Sequence, residues 1–248
     1  MDETIATFEL DGTHVELTED AVWATLARGG FSKTAAVVER FEALYSLGKA
    51  LNEPRGLARI VPISRVPTND RANVPEPIRD AEFLAFCIST AGRSIDEKAR
   101  THCEAGELIE SMIVDAIAMA GLSQIGDRLG REIFAWAADR GLAASRSFSP
   151  GAGASHWGLE HQQVLFRYLP ERPLGIELTA SFLMKPSKSV SFVIGIGGAV
   201  KQATHPFSCE GCERLDCAYR HIPDAEMVRG ESHSSEAPVR EASQGGRP

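Results

Sequence analysis

LGIELTASFLMKPSKSVS, at residues 174–191, is the most informative segment of the 248-residue chain. Its apolar and polar residues predict one strand over residues 174–184 and, beyond the Lys-Pro step, a second strand over residues 189–197. Within the second strand, alternate apolar side chains share one face, namely Val190, Phe192, Ile194 and Ile196. A strand with one apolar face indicates a sheet that is covered on at least that side.

Further strands are predicted nearer the N-terminus. Residues 5–17 alternate in polarity around an Asp-Gly pair, which is typical of a β-hairpin. Residues 58–66 predict a strand in which Pro62 lies at a sheet edge or a bulge, because proline cannot donate a ladder hydrogen bond. Residues 82–89 are nearly all apolar, which favours a buried strand.

Helices are predicted between and after these strands. One begins near Glu19 and ends before Gly29, and Ser32 is a candidate cap for the next. The sequence SIDE at 94–97 has the form of a capping box that opens another helix. Two long amphipathic helices follow, with Gly121 between them. Because helices and strands follow each other irregularly, we predict an α+β fold.

The composition excludes some classes of partner. Asp and Glu outnumber Lys and Arg by 34 to 26, giving a net charge of −8, so nucleic acid is not an expected partner. No apolar run approaches the roughly 20 residues that cross a bilayer. The N-terminal MDET has neither the basic start nor the apolar stretch of a signal peptide. We therefore expect a cytoplasmic protein that does not interact with membranes.

The loop RSFSPGAGASHWGLEHQ, at residues 146–162, is a candidate ligand site. Gly151 and Gly153 allow the backbone to approach a ligand closely, since no Cβ stands in the way. A helix N-terminus after the loop would offer free N–H groups to a carboxylate or phosphate. The alternative is an ordinary strand-to-helix turn with no ligand.

Two segments resemble one known family. FSPG at 148–151 is similar to the proline-glycine loop of the cobalamin-dependent methionine synthase activation domain. Residues 174–191 resemble the signature of the same family, a Gly-Ile/Val-x-Leu-Thr run followed by an aromatic residue, Met, Pro and Ser-Val-Ser. The resemblance covers about residues 80–200. It implies a single domain, over residues 1–200, with a twisted antiparallel sheet and helices packed around it.

The family resemblance also implies a role. Such a domain binds S-adenosylmethionine beside a corrinoid, and one electron plus the methyl group of S-adenosylmethionine converts cob(II)alamin to methylcobalamin. Cobalamin would reside on a partner, a corrinoid-binding methyltransferase, and a flavodoxin or ferredoxin is a candidate electron donor. The chemistry belongs to the cofactors and the protein positions them, so no catalytic residue is expected in this chain.

The family pattern suggests cofactor-binding residues in the loop and in the second long helix. Ser149 and Gly151 match positions whose backbone contacts the ligand, and Pro150 between them is a further candidate. The family has an Arg where this chain has Ser147, so Arg146, one place earlier, is the candidate in this chain. The family also has a Tyr where this chain has Ala152. The acidic contact of the family aligns with Arg131, so the adjacent Glu132 is the candidate in this chain.

Three cysteines near the C-terminus form a candidate metal site. Cys209, Cys212 and Cys217 have C-x₂-C-x₄-C spacing within a predicted Cys-rich segment, residues 201–225. The short first step lets two thiolates face one ion, and both zinc and an iron–sulfur cluster suit such ligands. His205, His221, a cysteine elsewhere or an exogenous ligand could supply a fourth ligand, and a segment without metal is the remaining alternative. Residues 226–248 have almost no apolar side chains, which predicts a disordered tail.

Three functions follow from these patterns. The first is a reactivation component for cobalamin-dependent methionine synthase or a related corrinoid methyltransferase. The second is a non-catalytic adaptor that binds a corrinoid protein and has lost S-adenosylmethionine affinity, an interpretation motivated by Ser147 and Ala152. The third is an iron–sulfur electron-transfer protein that uses the fold as a scaffold.

Overall fold

A computed structural model describes residues 6–152 and 157–208. The described residues form an α+β domain with one four-stranded antiparallel sheet, a small two-stranded hairpin and helices on the sheet. The strands are β1 (Ala6–Leu10), β2 (Arg55–Pro62), β3 (Phe83–Thr90), β4 (Glu177–Leu178), β5 (Met184–Lys185) and β6 (Ser189–Ile196). The helices are α1 (Glu19–Arg28), α2 (Ala35–Leu51), α3 (Thr68–Ala72), α4 (Arg93–Glu104), α5 (Leu108–Ala138) and α6 (Gln162–Arg167). The predicted fold class is confirmed.

The main sheet has the strand order β1-β2-β3-β6, with every neighbouring pair antiparallel. Strands β3 and β6 are paired along their whole length, from Phe83 opposite Ile196 to Thr90 opposite Ser189. Side chains alternate between the two faces of a strand, so each face of this sheet contributes to a different part of the core. The predicted strands at 82–89 and 189–197 are confirmed as β3 and β6.

Helix α5 covers one face of the sheet. Its buried side chains Leu129 and Ile133 pack against the strand residues of that face, which include Cys87 and Phe192. Helices α1, α2 and α4 pack in turn around the first half of α5. The apolar face predicted for β6, which includes Phe192, is therefore the face that meets the helix layer.

The opposite face of the sheet is covered by less regular structure. Phe86 of β3 and Val193 of β6 belong to a second cluster of buried side chains, together with Phe148, Trp157 and Leu165 of α6. This face therefore carries residues 146–152, residues 157–162 and the rest of α6, while α5 lies on the other side of the sheet.

The predicted hairpin at residues 5–17 is wrong. Strand β1 pairs with β2, with Ala6 opposite Ile60. The Asp-Gly pair opens a 3₁₀ turn instead, because the Asp11 side chain accepts a hydrogen bond from the Thr13 N–H at 3.0 Å. An aspartate can cap a turn as readily as it can occupy a hairpin loop, and here the local cap forms.

The two predicted long helices form one continuous helix of 31 residues, α5. Gly121 does not end a helix but allows a close approach, since a Cβ there would lie 2.4 Å from Asn52 Nδ2. The Asn52 amide also donates a hydrogen bond to the Ile117 carbonyl at 2.9 Å. Gly121 is thus required by packing between the end of α2 and the middle of α5.

Other local expectations were also wrong. Thr34, not Ser32, caps α2. Gly92, not Ser94, stands at the N-cap of α4, so Ser94 and Glu97 lie inside the helix and form no capping box. Strand β2 is an interior strand, but Pro62 at its end lies past the last residue that β1 pairs, so its missing donor is tolerated there.

The predicted strand at 174–184 is also only partly formed. Two two-residue strands, Glu177–Leu178 and Met184–Lys185, flank a tight turn. Residues 144 and 148 pair with β6 only through isolated bridges, and the helix after the loop is a 3₁₀ turn, Leu159–His161, followed by α6.

Helix α5 is long and apolar enough to cross a membrane by length and composition. Half of its most apolar window is buried inside the fold, and the central helix of a protein core meets the same criterion. Its apolar character is accounted for by its packing against the sheet and the other helices.

The last described residues pack onto the domain. The Ala203 N–H donates to the Ala144 carbonyl at 2.9 Å, and the Ser147 N–H donates to the Pro206 carbonyl at 2.7 Å. The Phe207 ring meets Phe192 edge-on, with ring centroids 5.2 Å apart. The packed structure therefore continues through Ser208.

Candidate functional site

The loop after α5 is attached to the edge strand β6. Phe148 and Val193 exchange two backbone hydrogen bonds, at 2.9 and 2.8 Å. Before them, the Ser145 N–H donates to the Gly195 carbonyl at 2.9 Å, and the Ser145 hydroxyl accepts a bond from the Gly195 N–H at the same distance. These bonds fix the point where the loop leaves the sheet.

Residues Ser149–Ala152 then form a tight turn. Its geometry is that of a type II turn, with Pro150 at the second position and Gly151 at the third, where φ is +77°. The Ala152 N–H closes the turn on the Ser149 carbonyl at 3.2 Å. The Gly151 N–H donates to the Trp157 carbonyl at 2.7 Å, so the turn is joined to the far end of the loop.

Trp157 anchors that far end. Its side chain is buried, and its Nε1–H donates to the Asn73 carbonyl at 2.6 Å. A Cβ at Gly151 would lie 3.0 Å from Leu159 Cδ1, so the turn and the start of the helical segment pack closely. Both ends of the loop are thus held, and glycine at 151 is needed for conformation and for space.

The β4–β5 hairpin stands opposite the turn. Its connecting residues are held by Thr179, whose N–H donates to the Leu183 carbonyl at 2.8 Å and whose hydroxyl accepts from the Leu183 N–H at 3.0 Å. The Leu183 side chain is 55% exposed. A large apolar side chain that is exposed beside a cavity marks a surface suited to contact with another molecule.

Between the turn and the hairpin lies an open cavity of about 520 Å³, here called the turn cavity. It is lined by Ser149–Ala152, by Leu159 and Gln162, and by residues of the hairpin and of the start of β6. Its lining is mostly apolar with several hydroxyl groups, and its volume falls within the range of about 300–1,000 Å³ typical of small-molecule sites.

A buried polar pair forms part of the wall of the turn cavity. Gln162 of α6 is 3% exposed and Ser191 of β6 is 1% exposed. The Ser191 hydroxyl donates to Gln162 Oε1 at 2.6 Å. This bond joins α6 to the edge strand directly beneath the cavity.

Helix α6 is held in place from behind by a buried carboxylate. Asp70 of α3 accepts hydrogen bonds from Arg167 Nη1 at 2.6 Å and from the Tyr168 hydroxyl at 2.7 Å. The Tyr168 ring stacks on Phe86, with centroids 4.2 Å apart. Burial, and then the bond to Asp70, raise the pKa of Tyr168 well above its usual value. The phenol is therefore a stable donor at neutral pH.

The structure brings together three of the predicted cofactor-binding residues. Ser149, Pro150 and Gly151 all line the turn cavity. Arg146 does not line it, because its guanidinium lies over the Phe148 ring at 4.3 Å and borders a separate cavity of about 190 Å³. A role for Arg146 in cofactor binding stays a prediction.

Glu132 is also placed away from the turn cavity. It lies on α5 and forms an ion pair with Arg128 at 2.8 Å. Helix α5 packs on the face of the sheet opposite the one that carries Phe148 and α6. Cofactor binding by Glu132 likewise stays a prediction.

Sequence reasoning missed several residues of the turn cavity. Met184 and Val190 are half-buried and line the cavity, and exposed Lys185 lines it too. Gln162 had no signal beyond its position at the end of the candidate loop. These side chains meet only because the hairpin folds back over the turn.

A second cavity, of about 560 Å³, adjoins the first and shares Lys185 and Ser187 with it. We call it the α4 cavity, since half of its lining comes from α4. Two of its acidic groups are engaged: Asp96 accepts two hydrogen bonds from Ser187, and Asp115 pairs with Lys188 at 2.5 Å.

The predicted metal ligands Cys209, Cys212 and Cys217 lie outside the described residues. Within residues 6–152 and 157–208, no group of three or more His, Cys, Asp or Glu side chains is arranged to hold a metal ion. His205, a candidate fourth ligand, lies with Nε2 2.6 Å from Asp127 Oδ1 and accepts a bond from the Phe207 N–H through Nδ1 at 3.2 Å. Both of its ring nitrogens are engaged.

Comparison with known proteins identifies a solved structure with a similar fold. No family model matches the sequence, and no curated protein matches it. Among solved structures, the chain is similar to the MetH reactivation domain, whose crystal structure was determined bound to AdoHcy. The TM-score is 0.53 and the identity 11%, over 81% of each chain. The chain therefore has the fold of the MetH reactivation domain.

Proposed function

We propose that this chain is a reactivation component for a cobalamin-dependent methionine synthase or a related corrinoid methyltransferase. The observation that carries the proposal is the turn cavity, which the Pro150-Gly151 turn and the β5–β6 segment build together. The fold shared with the MetH reactivation domain supports it, as do the two segments that resemble the activation-domain family.

S-adenosylmethionine is the proposed ligand of the turn cavity. The volume of about 520 Å³ suits a molecule of that size, and the mostly apolar wall with scattered hydroxyls suits a nucleoside. The backbone of Ser149 and Gly151 would hold it, with Gln162 beneath. When bound, S-adenosylmethionine supplies the methyl group, and an external donor supplies one electron. The residues of this chain orient the ligand and exclude water.

The proposed partner is a corrinoid-binding protein that docks over the turn cavity. The cavity is open, and exposed Leu183 stands at its rim, so a flat apolar ring could close it. The corrinoid would then face the methyl group of the bound ligand. A methionine synthase that lacks its own activation domain is the first candidate partner.

The test is the return of methylcobalamin from cob(II)alamin on such a partner, followed by visible absorption. With a chemical reductant and S-adenosylmethionine present, we expect this protein to stimulate the return. Two variants distinguish loss of docking from a general effect of added charge. Leu183→Asp alters the rim of the turn cavity, and Leu47→Asp alters an exposed leucine on α2. Only the first should reduce the stimulation. No stimulation by the unaltered protein would contradict the proposal.

An adaptor without S-adenosylmethionine affinity is the second candidate function. Ser147 and Ala152 replace the Arg and Tyr of the family pattern, and Arg146 stacks on Phe148 outside the turn cavity. A charge-assisted hydrogen bond contributes about 1.5–3 kcal/mol, so losing one weakens binding roughly ten- to a hundredfold. Calorimetry distinguishes the two functions: tight binding of the corrinoid protein without binding of S-adenosylmethionine supports the adaptor.

We also propose that Cys209, Cys212 and Cys217 bind a metal. An iron–sulfur cluster would relay the electron that reactivation needs, from a donor such as flavodoxin or ferredoxin, whereas zinc would be structural. Metal content and the absorption spectrum of anaerobically purified protein decide between them. Serine at all three positions should remove the metal, and Cys103→Ser, at an exposed cysteine outside the cluster, should not. Metal-free unaltered protein would contradict the proposal.

A further inference from the structure

We infer that Gln162 and Lys185 determine which ligand the turn cavity accepts: Gln162 hydrogen-bonds the nucleoside portion, and Lys185 binds the carboxylate of an attached amino-acid portion. The inference rests on the proposed function and goes beyond it, because neither residue belongs to the family pattern described above. The ligand class is a nucleoside thioether or sulfonium that carries an α-amino acid.

The Gln162 side-chain amide is hydrogen-bonded on one side only. The side chain is 97% buried, and its Oε1 accepts the hydroxyl proton of Ser191. Its Nε2 donates to none of the described residues, and Gln162 lines the turn cavity, so this donor is available to a ligand there. An amide N–H that bonds to no protein group gains a hydrogen bond when a ligand accepts its proton. The turn cavity therefore offers one fixed donor at its inner wall.

The charge on the wall of the turn cavity favours an anionic ligand group. Among the described residues that line the turn cavity, Lys185 is the only charged one. Its ammonium makes no ion pair with any described residue, and across the hairpin its neighbour Glu177 is paired with Arg172 at 3.4 Å. An unpaired cation beside a mostly apolar cavity selects a ligand with a negative group.

Burial decides which end of the ligand lies inside the turn cavity and which lies at its rim. The inner wall at Gln162 and Ser191 is uncharged and almost fully buried, whereas Lys185 is exposed. A carboxylate would be costly at the inner wall without a charged partner, but it can keep its hydration at the rim. A neutral purine nucleoside therefore fits inside, with the amino-acid portion at Lys185.

The experiment uses the full chain and two probes, S-adenosylhomocysteine and 5′-methylthioadenosine, which lacks the amino-acid portion. Lys185→Met should weaken binding of S-adenosylhomocysteine about fivefold or more and leave binding of methylthioadenosine unchanged. The matched control is Lys188→Met, which removes an equal charge three residues away at a side chain outside the turn cavity. It should change neither affinity.

Gln162 is tested by the double variant Gln162→Met with Ser191→Ala. Removing both members of the pair leaves no orphaned hydroxyl, so the fold should be retained, as circular dichroism will check. Both probes should then bind about fivefold more weakly, since the lost bond serves the nucleoside portion that they share.

The outcomes separate the two proposals. If the unaltered protein binds neither probe, the proposed function itself fails. If it binds S-adenosylhomocysteine and the Lys185→Met variant binds it equally well, the inference for Lys185 is overturned while the proposed function stands. Unchanged binding of both probes by the double variant overturns the inference for Gln162 in the same way.

Discussion

Replacing Gly151 with alanine tests how the turn shapes the cavity. Residue 151 has φ of +77°, and an L-residue in the left-handed region costs roughly 1–2 kcal/mol. The new Cβ would also lie 3.0 Å from Leu159 Cδ1, so the leucine must rotate, at about 0.5–1.5 kcal/mol. We expect the free energy of unfolding to fall by about 1.5–3.5 kcal/mol, the sum of the two costs. Leu159 would move into the turn cavity and weaken ligand binding.

The structure offers a matched control at Gly175. Its φ is +76°, but an added Cβ would meet nothing within 4 Å, so Gly175→Ala should carry the conformational cost alone. Urea denaturation of both variants isolates the steric cost, and calorimetry with S-adenosylhomocysteine measures its effect on binding. Leu159→Ala in the Gly151→Ala chain should recover the steric part. If both alanine variants lose the same stability and bind equally, the close packing of the turn on Leu159 is refuted.

Three other changes test the packing that supports the site. Gly48→Ala would place a Cβ 2.5 Å from Ile117 Cδ1, so it should lose about 1–3 kcal/mol in urea denaturation, and Ile117→Val in the same chain should restore most of the loss. Asp70→Asn should lower the pKa of Tyr168 toward its usual value while burial keeps it raised, as tyrosinate absorbance will show. Because the folded-state pKa is raised, the contribution of this phenol to stability is present below about pH 10 and is lost as pH rises through the folded value. Leu129→Ala, at a fully buried position on α5, should cost about 2–5 kcal/mol in the same denaturation assay.

The elements that sequence predicted well are those with strong local signals. Helix α1 has acidic residues in its first turn and Gly29 at its end, and the structure has both. Strand β3 has an unbroken run of apolar residues and β6 an alternating one. Such patterns predict a strand whichever strands lie beside it. These elements form because of local conformational preference and burial, and both can be read from a single sequence.

The expectations that failed depend on contacts distant in sequence. Gly121 has the pattern of a helix end, and only Asn52, far away in sequence, explains why the helix continues through it. The sequence around Asp11 likewise fits a hairpin turn. In the structure, however, β1 pairs with the distant strand β2 and not with the residues that follow Asp11. A local pattern cannot distinguish a glycine needed for a turn from one needed for close packing.

The candidate site was predictable in part. The motif around Pro150-Gly151 located the turn, and the 174–191 segment located the opposite wall of the turn cavity. Lys185 and Gln162 were missed, because a lysine at a strand end and a glutamine in a helix are usually surface residues without a specific role. Their importance arises because the hairpin folds back over the Pro150-Gly151 turn and encloses the turn cavity.

The docking of residues 203–208 has a practical consequence for cloning. A gene shortened to codon 200 would remove the carbonyl of Pro206 that Ser147 binds and the ring of Phe207 that covers Phe192. Both contacts lie beside residues 145–148, where the loop leaves the sheet, so such a product should express poorly even though it contains strands β1 to β6. Extending the gene by eight codons, to Ser208, keeps these contacts and still omits Cys209, Cys212 and Cys217.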